Sequence, residues 1–130
     1  MPLLDATGVI AAPSLPEVTV PGETPPAEAL ALVASAPLAV IAFSGMNDGR
    51  GFGLARSLRE SGYKGRLHAR GELIPDQFAY LLRCGFNAVE ITDERLARQP
   101  ASQWQDAAGH FTHNYQGANS IFDRRRAARS

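Results

Sequence analysis

The fold is decided by residues 37–92, which read PLAVIAFSGMNDGRGFGLARSLRESGYKGRLHARGELIPDQFAYLLRCGFNAVEIT. The start of this segment, residues 37–43, is a continuous apolar run of the kind found in strands that are covered on both faces. Strand-like runs return at residues 66–70 and 88–92, and each is preceded by a glycine-containing loop and a helical pattern. The order of elements is therefore strand, helix, strand, helix, strand.

An internal similarity supports this order. The stretches LARSLRESGYKGRLHA and QFAYLLRCGFNAVEI share the sequence Ala, Leu-Arg, Gly, aromatic residue and strand. Such a repeat indicates a βα unit, in which Gly62 and Gly85 end the two helices. Because crossovers between parallel strands are right-handed, the segment predicts a small single α/β domain with a βαβαβ parallel core.

The flanking residues predict simpler structure. Proline and small residues dominate the N-terminus, where Glu17–Val20 alternates as an edge strand is expected to do. A helix is predicted to follow, with Thr24 as its N-cap and Pro25 as its first residue. Another helix is predicted at residues 101–111. The expected divisions are an N-terminal arm at residues 1–25, the α/β domain at 26–116 and a basic flexible tail at 117–130.

Composition limits the partners and the compartment. The 130 residues carry no net charge, so neither nucleic acid nor an anionic membrane is an expected partner, and the short arginine run at residues 124–126 is expected to be solvated. The N-terminus lacks the basic start of a signal peptide, and the longest apolar run is far shorter than the roughly 20 residues that span a bilayer. The lone Cys84 fits a reducing compartment. We therefore expect a cytoplasmic protein.

Polar residues cluster in the loops that follow the predicted strands. In a parallel sheet these loops meet at one edge, where α/β proteins usually bind ligands. The candidate functional residues from these loops are Asp48, Gly49, Arg50, Gly51, Arg70, Glu72, Asp76 and Gln77.

The first loop has two interpretations. A glycine loop that enters a helix N-terminus exposes backbone N–H groups, which favours phosphate, sulfate or sulfite. The pattern matches only the first half of a dinucleotide fingerprint, however, and Asp48 would repel an anion. The favoured alternative is structural: Gly49 and Gly51 supply positive φ in a turn, and Asp48 caps the helix.

Two roles remain open for Arg50. In one role its guanidinium forms two hydrogen bonds to Asp76 or Glu72 and so connects the two loops. In the other it binds an oxyanion through two hydrogen bonds. Asp76 stands in a first helical turn, where the helix dipole alone favours an acid. Asp48 and Asp76 would form a carboxylate pair for acid–base chemistry if they met in space.

The sulfur and imidazole groups suggest no cofactor or metal. Cys84 lies in the last turn of its helix, where the dipole disfavours a thiolate, so we expect a buried and unreactive thiol. His68, His110 and His113 lack the spacing of a ligand set. No cofactor and no metal are predicted.

Three motifs together, DGRGFGLARSLR, GELIPDQ and RCGFNAVEI, resemble an uncharacterised bacterial family, domain of unknown function 934. The resemblance covers residues 38–92 and reaches Gln116. It adds Arg83 to the candidate functional residues. Members are commonly encoded beside assimilatory sulfite reductase and are often labelled oxidoreductases.

The chain departs from the family pattern at three positions. Members commonly have Arg where this chain has Pro75 and His68, and Asp where it has Glu72. The change at Pro75 removes a cation from the second loop. If the family's site needs that cation, Arg70 could supply the missing charge, because it lies next to the same loop.

The resemblance implies an accessory protein of assimilatory sulfur metabolism, in sulfite reduction, that acts through sulfite reductase or another sulfur-assimilation protein. The alternative is a small oxyanion-binding enzyme or oxidoreductase component that uses the loops to bind sulfate, sulfite or phosphate. A three-stranded parallel core has exposed edges, so a homodimer is also compatible with the sequence.

Overall fold

The computed structural model describes residues 1–45 and 49–118, without the side chains of residues 110–118. These residues form a single sheet flanked by helices. The strands are β1 (Leu3–Asp5), β2 (Gly8–Ile10), β3 (Glu17–Pro21), β4 (Leu38–Ala42), β5 (Arg66–Arg70) and β6 (Ala88–Glu90). The helices are α1 (Pro26–Val33), α2 (Arg50–Glu60), α3 (Phe78–Cys84), α4 (Asp93–Arg98) and α5 (Ala101–Ala118), and a 3-10 turn, Pro75–Gln77, precedes α3.

The strand order across the sheet is β2-β1-β6-β5-β4-β3. Strands β3 to β6 are parallel, whereas β1 is antiparallel to both of its neighbours, β6 and β2. The predicted βαβαβ core is confirmed as β4-α2-β5-α3-β6, and the predicted edge strand is β3. The positive φ values of Gly62 and Gly85, 98° and 110°, end α2 and α3 as expected.

The first 25 residues are more ordered than an arm. Strands β1 and β2 form a hairpin at the edge of the sheet opposite β3. In its turn, Asp5 Oδ1 accepts hydrogen bonds from Thr7 N and Thr7 Oγ1 at 2.8 and 2.6 Å. Strands of three residues are too short to show an alternating pattern, so neither the hairpin nor the pairing of β1 with β6 was visible in the sequence.

The first helix begins one residue later than predicted. Pro25, rather than Thr24, takes the cap position of α1, with an extended ψ of 138°. Pro26 follows as the first helical residue, and a residue before proline is driven towards this extended conformation.

Three helices cover the same face of the sheet. Because β3, β4, β5 and β6 are neighbours in chain order, right-handed crossovers place α1, α2 and α3 on one side. The buried core joins alternate strand residues, among them Ile41 and Leu67, to Leu58 of α2 and Phe78 of α3. Trp104 of α5 completes this core, with its ring 5.5 Å from that of Phe78.

The remaining alternate residues of β4 and β5 place their side chains on the opposite face of the sheet. Val40 and His68 are partners in the β4–β5 register. They are 0% and 1% exposed although neither belongs to the helical core. This face is therefore closed to solvent at these two positions.

Residues 11–16, which we call the strap, connect the two edges of the sheet. Strands β2 and β3 are the two outer strands of the sheet. The chain leaves β2 at the carboxyl end of the parallel strands and enters β3 at their amino end. A flat sheet would be about 24 Å wide, and the two ends are also about 13 Å apart along the strands, whereas the seven steps from Ile10 to Glu17 reach about 25 Å at most. The sheet must therefore curl to bring its edges within reach. Since helices fill the other face, this nearly extended segment must cross the face of Val40 and His68.

Candidate functional site

Two of the predicted loops lie together at the carboxyl ends of the parallel strands. Strands β4 and β5 are parallel and in register, so Arg50, the first residue of α2, lies at the same edge as Asp76 in the 3-10 turn. Asp48 lies outside the described residues. The predicted carboxylate pair of Asp48 and Asp76 therefore stays a prediction.

The glycines of the first loop act differently from what was predicted. Gly49 is the N-cap of α2 with φ of −85°, and Gly51 lies inside that helix, so the prediction of positive φ at both is wrong. Gly51 is needed instead for close packing, because a Cβ there would lie 2.5 Å from the Phe43 ring. The positive φ, 147°, belongs to Gly71 in the second loop.

Arg70 is held between two carboxylates. Its Nε donates to Glu90 Oε1 at 3.0 Å and its Nη2 donates to Glu17 Oε2 at 3.0 Å. The hydrogen bond from Arg70 is the main reason that the pKa of Glu17 is lowered, and the bond to Glu90 is the main reason that the pKa of Arg70 is raised. The positive charge is thus neutralised within the sheet.

Arg70 also lies on the wrong face to join the loop residues. Its neighbour Ala69 belongs to the helical core, so the Arg70 side chain points to the strap side of the sheet. Arg50 and Asp76 begin elements on the helical side. The expectation that Arg70 replaces the cation lost at Pro75 therefore does not agree with the structure.

His68 extends the polar row beside Arg70. Its Nε2 accepts a hydrogen bond from Arg66 Nε at 3.2 Å, and its Nδ1 lies 3.8 Å from Glu90 Oε2. Burial, reinforced by the charge of Arg66, lowers the pKa of His68 against the opposing effect of Glu90. We call Glu17, Arg70, Glu90, His68 and Arg66 the charged row. Its two glutamates were not among the candidate residues, although Glu90 interrupts an otherwise apolar strand.

Two other predicted residues have structural partners. Glu72 Oε2 accepts from Arg95 Nη2 at 3.0 Å, which ties the second loop to α4. Gln77 Oε1 accepts from Ile74 N at 3.0 Å and so closes the turn before α3. These contacts explain both side chains without a ligand.

Arg59 is a structural residue that the sequence argument did not single out. Its guanidinium donates to the backbone oxygens of Tyr63, Gly65 and Gly85 at 2.7 to 3.1 Å. It also donates to Asn87 Oδ1 at 3.0 Å. The repeated Leu-Arg pair was the available signal, and it marks a clamp between the ends of α2 and α3.

An aromatic surface is exposed between α2 and α3. The rings of Phe52 and Tyr80 lie 5.0 Å apart, and the Arg83 guanidinium lies 5.9 Å from the Tyr80 centroid. Tyr80 is 42% exposed. Together with Arg56, which is also exposed, these residues form what we call the aromatic patch.

Cys84 lies beneath this patch and is buried, as predicted. Burial raises the pKa of its thiol, and Tyr80, Arg56 and Arg83 act in the opposite direction. The charges of Arg56 and Arg83 thus both act on this thiol. Neither Arg56 nor Arg83 forms an ion pair with another described residue.

The described part of the chain holds no group of three His, Cys, Asp or Glu side chains placed to bind a metal. The side chains of His110 and His113 lie outside it. An open groove of about 570 Å³ lies at the amino ends of β4 and β5. It is lined by Pro37, Tyr63 and Lys64 among others, and none of the candidate residues lines it. Searching residues 1–45 and 49–118 for a helix that is long and apolar enough to cross a membrane finds none.

The fold and these surfaces define a small α/β protein with helices on one face of its sheet and a strap across the other. Residues 17–123 match the family described as "Bacterial protein of unknown function (DUF934)". The chain belongs to this family. No curated protein and no solved structure matches it.

Proposed function

We propose that the protein is an accessory component of assimilatory sulfite reduction that acts by binding a protein partner, sulfite reductase or another protein of sulfur assimilation. The pathway rests on the sequence resemblance described above. The binding role rests on one observation, the exposed Tyr80 ring that contacts the Phe52 ring and lies under Arg83. Tyrosine and arginine are the residue types that most often dominate binding energy in protein interfaces.

The polar residues favour this role over catalysis on a small anion. An oxyanion site needs cations that are free to converge on the ligand. Arg70 is already neutralised by Glu17 and Glu90, and Arg95 is paired with Glu72. Of the candidate cations, Arg83 and Arg50 remain for the alternative enzyme or oxidoreductase component, and Arg50 already has an interaction within the chain.

The cytoplasm is the proposed location. The single free thiol, Cys84, is compatible with a reducing compartment. Sulfate, sulfite and phosphate remain ligands only under the alternative function, and a homodimer is not needed for either function.

Binding to purified sulfite reductase holoenzyme tests the proposal directly. Isothermal titration calorimetry should detect a complex with the wild type, and Tyr80→Ala should weaken it by roughly 30-fold, the effect of losing a hot spot worth about 2 kcal/mol. Leu32→Ala is the matched control, because Leu32 is an exposed apolar residue on α1, outside the patch. Equal losses in both variants, or no complex with the wild type, would contradict the proposal for this partner.

A thermal melt separates the alternative. Millimolar sulfite should leave the melting temperature of the wild type unchanged if the protein acts through a partner. A rise with sulfite that disappears in Arg50→Ala would favour the oxyanion site, because a ligand that binds only the folded state stabilises it by mass action.

A further inference from the structure

We propose that the aromatic patch binds an acidic segment of a partner protein, with an apolar or aromatic side chain against Phe52 and Tyr80 and carboxylates against Arg56 and Arg83. This inference rests on the proposed function, since it specifies the chemistry of the partner. It concerns the helical surface of α2 and α3 and does not involve the charged row.

The two arginines supply the charge that such a segment would match. Arg56 lies on α2 and Arg83 on α3, and both side chains are exposed. Neither has an ion pair among the described residues, in contrast to Arg70 and Arg95. A guanidinium without a carboxylate partner is suited to bidentate recognition of one from another molecule.

The aromatic rings form a rigid surface between these charges. The Phe52 ring lies 5.0 Å from that of Tyr80 at a tilt of 43°, and it also packs edge-on against Phe43 at 5.2 Å. Tyr80 has only two side-chain torsions to restrain, and its contacts with Phe52 and Arg83 already restrain them. A preorganised surface of this kind loses little conformational entropy when a partner binds.

The arrangement of charges favours a short acidic protein segment over nucleic acid. Exposed acids stand at both ends of the patch, Glu60 at the end of α2 and Asp76 before α3. A long polyanion would meet these carboxylates, whereas a segment of a few residues fits between them. Two cations would also provide few of the phosphate contacts on which nucleic-acid binding depends.

Short peptides test the chemistry of the patch. The probe is the acetylated and amidated peptide Glu-Glu-Phe-Glu-Glu, and the controls are Glu-Glu-Ala-Glu-Glu and Lys-Lys-Phe-Lys-Lys. Two-dimensional NMR of the labelled full-length protein should show shifts at Phe52, Tyr80 and Arg83 with the first peptide, weaker shifts with the alanine peptide and none with the lysine peptide. Binding should weaken with added salt, because exposed charges are screened.

The variant Arg56→Gln/Arg83→Gln should lower the affinity for the acidic peptide at least tenfold. Arg98→Gln, which changes an exposed arginine on α4, is the control and should leave it unchanged. Equal affinity for the lysine peptide, or no loss in the double variant, would overturn the inference.

The holoenzyme separates this inference from the proposed function. If sulfite reductase binds the wild type and the double variant equally, the acidic-segment inference fails while the accessory function stands. If the acidic peptide binds as expected and the holoenzyme does not bind, the surface is correctly assigned and sulfite reductase is the wrong partner. A duplex oligonucleotide that binds more tightly than the peptide would overturn the choice of a protein segment.

Discussion

The guanidinium of Arg83 lies over the ring of Tyr80, 5.9 Å from its centroid and one helical turn away along α3. Arg83 belongs to the stretch Arg-Cys-Gly-Phe, on which the sequence resemblance partly rests, and was a candidate ligand for an anion. Its contact with an exposed aromatic ring makes it part of a surface rather than of a pocket. The aromatic patch therefore provides the most direct test of function.

Removing the Tyr80 ring should separate binding from folding. Tyr80→Ala loses one aromatic contact at a partly exposed site, so its free energy of unfolding should fall by only about 1 kcal/mol. Partner binding should fall much more. Urea denaturation and calorimetric titration of the same preparation measure both quantities; a variant that no longer folds would show that Tyr80 is primarily a core residue.

Substitution by alanine should change the free energy of unfolding in opposite directions at two glycines of α2. In Gly51→Ala the new Cβ would lie 2.5 Å from the Phe43 ring, which must move, so the variant should be destabilised by about 1–3 kcal/mol. Gly53 has no atom within 4 Å of the added Cβ and lies within the helix, so Gly53→Ala should stabilise by about 0.5–1 kcal/mol. Chemical denaturation measures both. A stabilised Gly51→Ala would show that the close packing on Phe43 is not required.

Arg70→Met should be destabilising because it leaves two carboxylates without their shared cation. Glu90 is the more buried of the two, with 15% of its side chain exposed, so most of the loss should come from it. A loss of about 1–3 kcal/mol is expected. Glu17→Gln is the control: its side chain is 42% exposed and solvent can replace the contact, so the loss should be smaller.

The stability should decrease in mild acid because of His68. Its pKa in the folded protein is below the ordinary value of 6.5, so the unfolded chain binds a proton more readily. Stability should be constant above pH 6.5 and should fall as the pH decreases from there towards the folded pKa. Arg66, Glu90, Glu17 and Arg70 face this imidazole, whereas the strap has no titratable side chain.

Urea denaturation between pH 7.5 and 5.0 measures this effect. His68→Gln should flatten the profile over that range. The lowered pKa of Glu17 should cause a separate loss of stability, which begins only as the pH falls through the ordinary glutamate value of 4.5 and continues towards the folded pKa. A profile in His68→Gln that is as steep as in the wild type would assign the mild-acid loss to other groups.

The strap should tolerate lengthening and not shortening. Deleting Ser14 removes a residue from a segment that is already close to its full reach, so β2 or β3 must leave the sheet and the protein should lose several kcal/mol. Inserting one glycine at the same place should cost far less, because added loop length has only a small entropic cost. Equal stability of both variants would show that the strap is slack.

The central elements were predictable because their signals are local. Strand β5 was predicted with its observed limits, and Gly62 and Gly85 marked the helix ends, since apolar periodicity and positive φ depend on neighbouring residues. The hairpin of β1 and β2 was not predictable, because its three-residue strands depend on pairing with β6. Helix α4 was missed for a similar reason: its six residues are too few to show a helical period.

The candidate site was less predictable because it depends on strand order and face. Glu17 and Arg70 are 53 residues apart and meet only because β3, β4 and β5 are adjacent. Their pairing removed Arg70 from the group of loop cations, which no local pattern could indicate. The aromatic patch was likewise hidden, because Phe52 and Tyr80 belong to different helices.

The strap and hairpin also impose an order on assembly during synthesis. Strand β1 leaves the ribosome first, yet apart from β2 its partner is β6, whose residues are made near the end of the sheet-forming chain. The parallel strands β3 to β6 can join one after another as each helix crossover is completed. The hairpin can join the sheet only after β6 has been made. Of the described strands, the first in the chain is therefore the last that can pair with the parallel strands.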